Sequence, residues 1–87
     1  MEFGKNIVIT GIIMPSNWDD TGRITEIALY TNKEEVYAVK LNSLTGELLN
    51  LLYRCVEIRG KIREHPEGNK TIVAQDYRLQ RKFFKGK

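Results

Sequence analysis

The stretch Val56-Glu57-Ile58-Arg59-Gly60-Lys61-Ile62-Arg63 alternates without a break. Val56, Ile58, Gly60 and Ile62 fall on one parity, and four charged residues fall on the other. Only an extended strand sends successive side chains to opposite faces, so this segment reads as a half-buried β-strand over 55–64. One strand cannot bury its own apolar face, so the chain must supply partners for it.

Four further strands are legible. Residues 6–14 are rich in β-branched side chains and read as strand one. Gly11 inside it suggests a bulge or sharp bend, and Pro15, which has no N–H to donate, ends it. Residues 16–22 form turns. Strand two spans 23–31, with Ile27 and Leu29 inward. Residues 32–35 are a polar connection of hairpin length. Strand three spans 36–41. Either Tyr37, Val39 and Leu41 point inward or the opposite set does; periodicity leaves both registers open. The period then changes. Leu44, Leu48, Leu51 and Leu52 recur at spacings of three and four, which predicts one short amphipathic helix over roughly 44–53. Asn42, Ser43 or Thr45 can cap it, and Gly46 weakens it. Residues 65–70 form a turn. Strand five runs over 71–80, with a phase slip near Gln75-Asp76 that suggests a bulge. Residues 1–80 read as a single domain and 81–87 as a basic tail.

Five short strands laid flat would leave two exposed edges. Closing them into a barrel removes both, and one amphipathic helix then covers an open end. The 87 residues are enough for one domain and too few for two. At 41% apolar and 29% charged residues, the chain has the composition of a folded domain.

The order of three strands, a helix and two strands, with a glycine inside strand one, resembles the OB-fold, a five-stranded Greek-key barrel. Residues 5–80 carry the resemblance. Its motif-like pieces are Ile9-Thr10-Gly11-Ile12-Ile13, Val56 through Ile62, which is similar to the fourth strand of many nucleic-acid-binding OB domains, and Thr71-Ile72-Val73 with Asp76-Tyr77-Arg78-Leu79. The fold class expected is therefore an all-β, five-stranded OB-like barrel with one short helix between strands three and four. The alternative, an SH3-like small barrel, usually lacks such a helix.

The resemblance implies a ligand face on strands two and three, flanked by the one–two and four–five loops. By position, that face takes Trp18, Arg23, Tyr30, Lys33, Tyr37, Lys40, Arg63, His65 and Lys70. Aromatic rings can stack on bases and cations can hold phosphates. Several of these residues have a second reading. Trp18 can instead close over the core, and its neighbours Asp19 and Asp20 repel phosphate. Tyr37 can be a core residue, and His65, beside Pro66, a solvated turn residue. Arg59, Lys61 and Arg63 form either a basic stripe or a solvated face paired with Glu57 and Glu64.

Charge is uneven along the chain. Residues 1–53 hold four basic and seven acidic groups, a net of −3, and residues 54–87 hold ten and four, a net of +6. The tail is the most distinctive segment. Arg81, Lys82 and Phe83, with the residues after them, can hold a phosphate backbone and stack a base. Equally, a phenylalanine there can cover a gap in the barrel.

No nucleotide-binding glycine loop and no hydrolase elbow occurs. One His and one Cys cannot make a zinc site of the usual kind, so neither metal nor cofactor is expected. No apolar run reaches the length of a membrane span, and a lone Cys55 fits a cytoplasmic protein. The expected function is non-enzymatic binding of single-stranded DNA or RNA with low sequence specificity. The alternative is a protein-interaction or structural module.

Overall fold

The computed structural model describes residues 6–40 and 42–80. Leu41 and the tail residues Arg81, Lys82 and Phe83 lie outside the described residues. The elements are β1 (Asn6–Trp18), β2 (Ile24–Thr31), β3 (Val36–Val39), α1 (Thr45–Leu49), β4 (Cys55–Glu64) and β5 (Lys70–Leu79). The strands close into a barrel in the order β1-β2-β3-β5-β4. This all-β architecture, with its helix between β3 and β4, is compatible with an OB-like fold.

β1 is the longest strand because it serves two neighbours in turn. Residues 6–12 pair with β4, and residues 11–18 pair with β2. The register runs through Gly11 without a shift, so the expected bulge is not there. A close approach explains the glycine instead: a Cβ would sit 2.4 Å from the Tyr30 carbonyl oxygen. The irregularities lie further on, between Pro15 and Trp18. Pro15 does not end the strand. The Ile13 N–H donates to the Arg54 carbonyl at 3.2 Å, on the β4 side. Two residues later the Pro15 nitrogen falls on that same side, past the last β4-side hydrogen bond, so no ladder donor is lost.

Most of the other pairings are antiparallel hairpin partners. β2 meets β3 at Leu29–Tyr37, and β4 meets β5 along almost its whole length. Arg59 pairs with Asp76 and Gly60 with Ala74, which leaves Gln75 as the extra residue of a bulge, where the phase slip predicted it. The ring closes through a parallel seam between β3 and β5. Its paired residues are Ala38–Thr71 and Val39–Ile72, supplemented by the Lys40 N–H to the Ile72 carbonyl at 2.9 Å.

The core fills the barrel. Ile13, Ile27, Leu29, Leu48, Val56, Ile58 and Ile72 are fully buried. Each such side chain is worth roughly 1.5–3 kcal/mol relative to exposure. α1 supplies Leu48 to this core, and Leu44, Leu49, Leu51 and Leu52 pack around it. The leucine stripe therefore faces the barrel, but the helix is only half as long as the stripe. Beyond Asn50 the chain descends in tight turns, with Leu51 N–H on the Leu48 carbonyl and Arg54 N–H on the Leu51 carbonyl, and Tyr53 takes a left-handed φ of 66°. No side chain caps α1. Asn42 and Thr45 shape the preceding turn instead: Asn42 Oδ1 accepts from Leu44 N–H, Thr45 Oγ1 accepts from Asn42 N–H, and Asn42 Nδ2 donates to the Ala74 carbonyl. The Tyr77 hydroxyl donates to Glu47 Oε1 at 2.7 Å, which ties α1 to β5.

Candidate functional site

Packing decides which residues the barrel presents. Tyr37 and Val39 are 6% and 5% exposed, so β3 turns that parity inward. Val36 and Ala38 must then face out. On β2, buried Ile27 and Leu29 force Tyr30 outward by the same rule. The register places Ile12, Tyr30 and Val36 side by side across three strands. Tyr30 is 43% exposed and Val36 46%. The outer β1–β2–β3 face thus carries an apolar row with one aromatic ring at its centre.

This row continues into a cleft. The seam joins β3 to β5 only from Ala38 onward, so the start of β3 stands apart from the β4–β5 connection. A cleft of about 610 Å3 opens there. Val36, Ala38 and Glu35 line one side, and His65, Lys70 and Thr71 are among those lining the other. The loop is shaped by His65 N–H donating to the Asn69 carbonyl at 2.9 Å and Gly68 N–H to the His65 carbonyl at 2.8 Å. His65 Nε2 lies 2.9 Å from Thr71 Oγ1.

Glu35 is fixed at the mouth of this cleft. The Tyr37 hydroxyl donates to its Oε1 at 3.0 Å, and Lys70 Nζ stands 3.8 Å from its Oε2. Lys70 also lies 5.6 Å from the centre of the Tyr37 ring. Burial, and then the bond to Glu35, push the Tyr37 hydroxyl above its ordinary value, so it stays a neutral donor. Tyr37 is therefore a core residue that positions Glu35, and its ring is withdrawn from the stacking set.

The opposite end of the face is the β1–β2 connection. Trp18 belongs to the end of β1, paired with Ile24, and not to the loop. Trp18 is 53% exposed, so it does not close over the core. Asp19 Oδ1 accepts from Thr21 N–H, Thr21 Oγ1 and Arg23 N–H. The Thr21 hydroxyl first, and then the Arg23 N–H, hold the Asp19 carboxyl below its usual range. Tyr30 and Trp18 lie about 20 Å apart along the ladder, six residues of β2 at roughly 3.3 Å each.

The remaining expected residues distribute around this axis. Lys33 is exposed in the β2–β3 turn, Lys40 is exposed just past β3, and Arg23 is exposed beside Trp18. Arg63 pairs with Thr71 in the β4–β5 ladder and so sits next to the cleft. His65 and Lys70 line it. Tyr30, Arg63, His65 and Lys70 are thus gathered at one end, and Trp18 and Arg23 stand at the other. On the far side of the barrel, Arg59 pairs with Asp76 at 2.8 Å, and not with Glu57 or Glu64.

Sequence reasoning overlooked three features. Val36 becomes part of the face once Tyr37 is known to point inward. Glu35 fell within the polar connection of residues 32–35, and no local signal marks it. Tyr53 is 64% exposed and donates its N–H to the Ile13 carbonyl at 2.7 Å, in a stretch expected to be helical.

Among the described residues, no group of three or more His, Cys, Asp or Glu could hold a metal ion, and no helix is long and apolar enough to cross a membrane. Comparison with protein-family models, with curated proteins and with solved structures finds no match to this chain.

Proposed function

We propose that this is an OB-like, non-enzymatic module that binds single-stranded nucleic acid across its outer β1–β2–β3 face. The observation that carries the reading is Tyr30. An aromatic ring stands out near the C-terminal end of β2, with Ile12 and Val36 as its cross-strand neighbours and a cleft beside it. Bases stack on such rings with roughly 1–3 kcal/mol each. Trp18 offers a second exposed ring at the other end. Residues 54–87 carry the net positive charge that a phosphate backbone requires. In this reading Arg81 and Lys82 supply the salt-sensitive share of the affinity and Phe83 a further stacking ring, and the free Cys55 suits a reducing compartment such as the cytoplasm.

The test is anisotropy of a labelled oligonucleotide, with Trp18 fluorescence in parallel, at about 50 and 200 mM salt. Binding that weakens steeply with salt and quenches Trp18 supports the reading. No binding at the lower salt by either signal overturns it. A chain ending at Gln80 that kept its affinity and salt slope would remove the tail from the mechanism.

One observation favours a protein-interaction module as the second reading. The row of Ile12, Tyr30 and Val36 is apolar, and exposed apolar rows also seat protein partners. Capture of a protein partner that is lost on truncation at Gln80, without oligonucleotide binding, would select it.

A further inference from the structure

The charge of the cleft does not suit a phosphate. Glu35 and Glu67 line it with one cation, Lys70, and Lys70 already stands beside Glu35. The two carboxylates and one ammonium sum to a net −1. A phosphate entering would meet more negative than positive charge at short range. The wall formed by Val36 and Ala38 is apolar, and Tyr30 is the cross-strand neighbour of Val36. A flat, uncharged ring fits that wall, and its polar edge then meets Glu35.

We infer that the cleft takes a single guanine base, read by the Glu35 carboxylate, while the phosphates run outside it. This rests on the nucleic-acid reading and gives the site a sequence preference in place of the low specificity expected. Edge chemistry selects the base. Guanine presents two adjacent donors, its ring N1–H and its exocyclic amino group, which match the two oxygens of one carboxylate. Cytosine and adenine present one donor beside a ring nitrogen acceptor, which would face a carboxylate oxygen unfavourably. Thymine and uracil present one donor flanked by two carbonyls. Glu35 is equipped for this. The Tyr37 hydroxyl fixes Oε1 and Lys70 steadies Oε2. Of about four lone-pair sites on a carboxylate, these contacts leave enough for two incoming donors.

The experiment compares oligothymidine of about twelve nucleotides with the same strand carrying one central guanine, cytosine or hypoxanthine. Anisotropy reads the affinities. The expected result is about tenfold tighter binding of the guanine strand than of oligothymidine, with cytosine giving no such gain. Hypoxanthine keeps N1–H but lacks the amino group, so most of the advantage is lost. In Glu35→Gln the ratio of guanine to thymine affinity falls towards one, because the new amide places a donor against guanine's donors. The melting temperature of that variant is measured alongside to establish that it is folded. Equal affinity of the natural protein for all four strands overturns this inference and leaves the nucleic-acid reading standing. Failure to bind any of them at low salt overturns both.

Discussion

Replacing Gly60 with alanine tests the packing of β4 on β5 directly. The new Cβ would lie 2.1 Å from the Val73 carbonyl oxygen and 2.9 Å from its carbon, where ordinary contacts begin at 3.4 Å. The strands would have to part by about 1 Å to restore normal contact. Both obstacles are backbone atoms in the longest ladder of the barrel, beside the Gln75 bulge, so no side-chain rotation relieves them. Overpacking of this kind costs about 3 kcal/mol. A domain of this size has only about 5–10 kcal/mol of stability to lose. At roughly 4–8 °C per kcal/mol, melting should fall by roughly 12–24 °C. Far-UV circular dichroism during thermal and urea unfolding reads this. Gly46→Ala is the matched control. Nothing lies within 4 Å of the added Cβ there, and helix propensity should raise stability by up to about 1 kcal/mol. A Gly60→Ala protein melting within about 4 °C of the natural one would refute the reasoning, because it would mean that β4 and β5 do not approach so closely.

Tyr30→Ala should weaken oligonucleotide binding by roughly 1–3 kcal/mol in anisotropy while leaving melting nearly unchanged, since the ring is substantially exposed; unfolding instead would put Tyr30 in the core. The Thr21 hydroxyl and then the Arg23 N–H hold the Asp19 pKa below its ordinary carboxylate value, so its contribution to stability is present above that ordinary value and lost as pH falls through the folded pKa. The stability gap between the natural protein and Asp19→Asn should therefore be widest near neutral pH and close in acid, as read by urea unfolding at a series of pH values. Burial raises the Cys55 thiol above its ordinary value, so alkylation in the folded protein should be far slower than in urea; equal rates would show Cys55 to be accessible. Ile58→Ala should cost about 2–5 kcal/mol in urea unfolding, because the side chain is fully buried in the barrel.

Periodicity revealed what it physically encodes. The alternation of residues 56–63 fixed β4 to the residue and put Val56, Ile58 and Gly60 inside. The phase slip at Gln75 marked a real bulge, because an extra residue must break a period of two. Where two physical effects compete, the pattern was less informative. The leucine spacing is helical over about ten residues, yet the helix holds five. The barrel end needs only Leu48 inserted deeply, and the chain must then turn to enter β4. Pro15 is a strand breaker by its own chemistry, but its nitrogen lies where no partner needs a donor. Strand three had two registers by sequence, and the barrel interior selected the one that hides Tyr37. The candidate site was legible as a region. The placement of Glu35 was not, because Glu35 acquires its position from Tyr37 and Lys70, and only folding brings Lys70 to it.

The parallel seam between β3 and β5 has a consequence for motion. Among the described residues, two residue pairs and one flanking hydrogen bond hold it, against the nearly full-length ladder between β4 and β5. Amide hydrogens along this seam should exchange with solvent before those of the other ladders, through a local opening that leaves the hairpins intact. Such an opening bares the edges of β3 and β5, the template for chain-to-chain association. The cleft straddles the same junction, with Val36 on one bank and Lys70 on the other. A base seated there, as proposed, would span both banks and stabilise the closed form by mass action, so that binding in the cleft and closure of the ring would be linked equilibria.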